Sequence, residues 1–237
     1  MRILFLILTV ASSAFAQETP FVNQSFEAGN AAARKQQYER AIEKYRATRL
    51  RAETARLNDA QLAKIHFNIG VCFYHLKQTN EAVAEFTEAI KLSKRQYQAA
   101  FYALGMTQKD LKNWREAAAA LRDALEIDKT NGEAWFDLAI IYLEEKDFTE
   151  AAKAFENSIK YKSINAPDAH NNLGVIAALG NDWVAAEKRF VTALLNSNGK
   201  SIEANNNLQF CKFYKRNFSG KDLSAKLEFS GIEKQGE

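Results

Sequence analysis

A small residue returns along this chain at a nearly constant interval. Gly70, Gly105, Ala139 and Gly174 stand 35, 34 and 35 residues apart. A recurrence of this length signals stacked supersecondary units, each burying its apolar face against its neighbours rather than in one closed core. The surroundings recur as well. An apolar residue precedes each anchor (Ile69, Leu104, Leu138, Leu173), and an aromatic or His stands four before it (His66, Phe101, Trp135, His170). A small residue follows at twelve (Ala82, Ala117, Ala151, Ala186). A large apolar one follows at sixteen (Phe86, Leu121, Phe155, Phe190). A weaker copy begins at Gly29, with Tyr38, Ala41 and Tyr45 in register.

This spacing predicts two helices of about 13–15 residues per unit, an ordinary helix length. The composition agrees, with 2 Pro and 10 Gly in 237 residues and abundant Ala, Leu, Glu and Lys, which favour helix. The anchor and the small residue twelve later mark where the paired helices cross, because a side chain larger than Ala would hold them apart. The residue at sixteen is expected to fill the space to the next unit. Polar turns (KQTN, LKNW, EKDF, GNDW) separate the helices, and Asn113 with Glu116 reads as a capping pair. Gly29 and Gly70 are 41 apart, which predicts lengthened helices around residues 46–64, with Asn58 and Gln61 marking a helix start. The last unit, SIEANNNLQFCKFYKRN, carries a first helix only and reads as a terminal cap.

A period near 34 with these constrained positions resembles the tetratricopeptide repeat family over roughly residues 22–214. The chain departs from that pattern at the end of each repeat, where the family's frequent proline is missing. The resemblance implies an all-α, right-handed superhelical solenoid of about five helix-turn-helix repeats plus a C-terminal capping helix. The expected organisation is a signal peptide at 1–16, a repeat domain at 17–218 and a polar tail at 219–237.

The signal peptide is expected from MRILFLILTVASSAFAQ. It has one positive charge, a short apolar run, and Ala14-Phe15-Ala16 as the cleavage site. The run is too short to span a bilayer. The expectation is an exported protein, with the periplasm as its destination and secretion or a secretory-pathway lumen as the alternative. Cys72 and Cys211 occupy equivalent positions four units apart, too far for a disulfide, and are expected as buried free thiols. The net charge of +3, from 32 basic and 29 acidic residues, gives no reason to expect a nucleic-acid partner. His66, His75 and His170 are scattered, and no phosphate loop or nucleophile motif appears. The chain is therefore expected to have no catalytic residues, metal or cofactor.

The resemblance also implies that the first helix of each unit lines a concave binding wall. On that wall, in this numbering, fall Asn68, Tyr102, Phe136, Ile140, Asn171, Asn172, Asn206, Asn207, Phe210 and Phe213. Asn is a poor helix former, yet its amide can donate to and accept from a peptide backbone. Asn68, Asn172 and Asn207 match the asparagine ladder of some tetratricopeptide proteins, interrupted by Ala103 and Asp137. The family's carboxylate clamp is not expected, since Phe26, Ala99 and Ala103 stand where its basic residues belong. Phe136, Ile140, Phe210 and Phe213 are expected to supply affinity. The predicted function is that of a scaffold holding a partner protein or extended peptide. The alternative is a structural subunit of an envelope assembly, its groove filled by a second copy or by its own tail segment LSAKLEFSGI.

Overall fold

The computed structural model describes residues 20–51, 57–217, 227 and 229–231. The leader-like residues 1–16 and most of the tail lie outside the described residues. Those described form eleven helices and no strand. They fall into two compact units, divided after Ile127.

The first unit contains three helix pairs: α1 (Pro20–Arg34) with α2 (Tyr38–Leu50), α3 (Asp59–His75) with α4 (Thr79–Leu92), and α5 (Gln98–Asp110) with α6 (Trp114–Ile127). The second contains α7 (Gly132–Glu144) with α8 (Phe148–Lys160), and α9 (Ala166–Leu179) with α10 (Trp183–Asn196). The unpaired α11 (Ile202–Asn217) packs on α10 and α9. The repeat spacing and the terminal cap are thus those expected from the anchors.

The anchors owe their size to one contact. A Cβ on Gly70 would stand 2.7 Å from the Phe86 ring, one on Gly174 2.5 Å from Phe190, and one on Gly29 2.6 Å from Tyr45. These large residues are the ones sixteen positions on. They therefore cover the anchor of their own repeat, and Phe86, Phe155 and Phe190 also share a core cluster with buried residues of the following first helix, as expected. The fourth anchor, Ala139, tolerates its methyl above Phe155, whose ring instead meets Phe136 edge-on at 5.6 Å. Gly105 would also meet the Ala117 carbonyl at 3.2 Å, which marks the expected helix crossing.

Each first helix ends with a residue in the left-handed region seven after the anchor: Gln36, Lys77, Lys112, Lys146 and Asn181. The next amide then bonds back to the carbonyl five residues earlier. Gln78 to Phe73 (2.9 Å), Asn113 to Gln108 (2.9 Å) and Asp147 to Tyr142 (2.8 Å) repeat this Schellman closure. Asn113 also donates its side-chain amide to Gln108. The second helices of the second unit start on Asp caps, Asp147 to the Glu150 amide and Asp182 to the Ala185 amide. Asn58 and Gln61 form a complete capping box at the start of α3. That helix, at 17 residues, takes up part of the surplus between the first two anchors, while α2 keeps an ordinary 13. Cys72 and Cys211 are free and buried. No helix among the described residues is long and apolar enough to cross a membrane.

Candidate functional site

The polar groups of the second unit converge on one place. Helix α9 presents Asn171 and Asn172 side by side, and α11 presents Asn207; all three are fully buried. Burying three amides is costly unless each finds partners, and the partners form a chain. Asn207 Nδ2 donates to Asn171 Oδ1 at 2.9 Å. Asn171 Nδ2 donates to Ser230 Oγ at 3.0 Å and makes a longer bond to Asn172 Oδ1 at 3.4 Å. Asn172 holds the backbone of Ser230 from both sides. Its Nδ2 donates to the Ser230 carbonyl at 2.8 Å, and its Oδ1 accepts the Ser230 amide at 2.6 Å.

Residues 227 and 229–231 of the tail are therefore seated on this face. Leu227 packs against the cluster of Val175, Ala178, Phe190, Leu208 and Cys211. Phe229 packs on this cluster and on that of α7 and α8, and stacks with Phe148 at 6.4 Å and 12°. Gly231 lies against α7. A Cβ there would stand 3.3 Å from Phe136 and from Ile140, and its φ is +82°. Close approach and a left-handed backbone both require glycine. The segment thus runs from the α9–α11 cluster, across Asn172, to α7.

Of the residues expected on the binding wall, the structure brings Phe136, Ile140, Asn171, Asn172 and Asn207 together around Ser230 and Gly231. Asn207 donates to Asn171 and so orients it. Asn206 is exposed, and Phe213 is 56% exposed. Phe210 packs with Trp183 and Tyr214, each ring 6.3 Å away. In the first unit, Asn68 donates to Asn30 Oδ1 at 3.3 Å, which also accepts the Tyr45 hydroxyl at 2.7 Å. Tyr102 is half-buried against that unit's core. Reading the wall from first helices alone missed Phe148, which opens a second helix. It also missed the tail residues as individual contacts; the signal for them was the apolar character of 223–232.

The ionisable groups do structural work elsewhere. In the first unit His66 Nδ1 lies 2.6 Å from Glu85 Oε2, with Arg49 at 3.4 Å from the same carboxylate. In the second, Arg189 bridges His170, at 3.3 Å, and Glu156. No group of three metal-ligating side chains occurs among the described residues.

A family model described as tetratricopeptide repeat matches residues 26–99, 102–167 and 147–200, well over half of the chain. No curated protein sequence matches it. Solved structures do. A crystal structure of MamA protein is 19% identical with a TM-score of 0.65, covering 76% of this chain and 93% of its own. MamA from Desulfovibrio magneticus RS-1 is 16% identical with a TM-score of 0.65, covering 77% and 98%. YrrB, described as a tetratricopeptide protein with an unusual peptide-binding site, is 20% identical with a TM-score of 0.61, covering 81% and 90%. At these identities the likeness is one of fold.

Proposed function

The chain belongs to the tetratricopeptide repeat family, and from that premise we propose that it is a non-catalytic interaction scaffold whose second unit holds an extended segment of a partner protein. The observation that carries this reading is the pair of hydrogen bonds between Asn172 and the Ser230 backbone. One carboxamide satisfies both backbone polar groups of a single residue, so it recognises a backbone whatever its side chains. The buried face around it supplies apolar contacts on both sides. That YrrB is described as having a peptide-binding site lends the reading a precedent. The leader-like residues 1–16 support export, with the periplasm as the proposed location.

A second reading rests on the same contact. The occupant seen is the chain's own tail, as a structural subunit with a permanently filled face would have it. The two separate in one titration. The full chain carrying Gly231→Val, which cannot keep its own tail seated, is titrated with a fluorescein-labelled peptide AKLEFSGIE, matching residues 225–233. Binding at about micromolar strength, lost when Asn172→Ala is added, supports the scaffold. No binding, with helicity unchanged, leaves the tail as a fixed structural element.

A further inference from the structure

Resting on that peptide-holding reading, we infer that the second unit selects a partner segment of the form aromatic–Ser–Gly with an aliphatic residue two positions before the aromatic. The chain's own Leu227 and Phe229-Ser230-Gly231 are the resident occupant that such a partner displaces. Three contacts reach past the backbone, and each reads a different side-chain property. Phe148 stacks on the ring of Phe229. Asn171, held by Asn207, donates to the Ser230 hydroxyl. Phe136 and Ile140 close over Gly231, leaving no room for an unshifted Cβ. The glycine position is the most restrictive, because its +82° φ disfavours every L residue independently of the space. Leu227 adds an aliphatic contact at the other end of the segment.

The occupant that matters is a different protein rather than a second copy. The chain's own segment is tethered by residues 218–226, and a tether of this length sets an effective concentration of about millimolar. A second copy offers the same segment without that advantage, so it does not displace the first. A foreign segment succeeds by matching the same three positions and extending along α11. Asn206 stands exposed there, at the place in its helix that Asn171 holds in α9. The own tail thus sets the affinity threshold a partner must exceed.

The test uses the full chain carrying Gly231→Val and a panel of peptides: AKLEFSGIE, and versions with Ala in place of the Phe, the Ser or the Gly. Expected losses of affinity are about tenfold or more for Gly→Ala and Phe→Ala, and about two- to tenfold for Ser→Ala. On the unmodified chain, the peptide LEFSGIE, which has no trypsin site, supplied well above about 1 mM, should expose the bond after Lys226 to trypsin, and its Gly→Ala version should not. That arm holds even if the Gly231→Val chain folds poorly. Equal binding of all four peptides overturns the selectivity and leaves the peptide-holding reading standing. No binding by any peptide to a chain whose Lys226 site is already open overturns both. A concentration-dependent dimer of the unmodified chain, abolished by Gly231→Val, assigns the face to a second copy and overturns the partner.

Discussion

Asn172 touches both polar groups of the Ser230 backbone, and removing its carboxamide leaves a buried N–H and C=O without partners. Each such loss costs about 1–3 kcal/mol. That is enough to release a short segment held by few other contacts. Asn172→Ala is therefore expected to make the full chain cleavable by trypsin after Lys226 while leaving helicity intact; unchanged resistance would mean the apolar contacts alone seat the tail. Asn207→Ala removes the donor that holds Asn171 against Ser230 and should act in the same direction. The cysteines give a second expectation at this scale. Burial pushes the Cys72 thiol up to about 12 and raises that of Cys211, and only the thiolate is nucleophilic. Neither should react with iodoacetamide at pH 8 in the folded chain, and both should react once denaturant is added. The asparagines were legible as a recurring polar residue on one helix face. That Asn207 bonds to Asn171 depends on side-chain direction, which spacing does not reveal.

Among the helices, the strongest constraint is the fit of an anchor glycine beneath an aromatic ring of the same repeat. Gly174→Ala places a methyl 2.5 Å from Phe190. Overpacking of this kind costs about 1–3 kcal/mol. Urea unfolding should show the loss, and pairing the change with Phe190→Leu should recover part of it. A double variant no better than the single would mean the backbone, not the ring, gives way. The small anchors were readable from spacing, and so was their place at the helix crossing. That the residue at sixteen also lies over the anchor of its own repeat was not, because spacing does not say which way a side chain points. The turns hid their chemistry too. Lys, Gln and Asn in the left-handed region carry none of the glycine signal by which a Schellman closure is usually recognised. Asn58 and Gln61 were legible because a capping box is local, needing only residues three apart.

At the scale of the molecule, His75, His170 and Glu85 all lose stability as pH falls. Burial holds His170 below its ordinary value, with Arg189 beside it. Burial also lowers His75, with Lys77 adding to it. In both, the unfolded chain binds the proton more readily, so stability is lost as pH falls through and below about 6.5. For Glu85, burial acts to raise the value but is outweighed by the His66 hydrogen bond and by Arg49. Its contribution is present above the ordinary carboxylate range and lost as pH falls through it. The melting temperature should thus decline in two stages, from pH 7 to 5 and again toward pH 3, and His75→Gln with His170→Gln should flatten the first. The sequence by itself determined the class of fold, the helix pairing, the number of repeats and the terminal cap. These follow from local propensity and from a period that only stacked helix pairs satisfy. It also marked the segment 223–232 as apolar enough to fold back. Only the tertiary structure decided that the tail meets α9 and α7, with Ser230 on Asn172 and Gly231 under Phe136 and Ile140. Those contacts join residues 58 or more positions apart, and no periodicity encodes which distant segment meets which face.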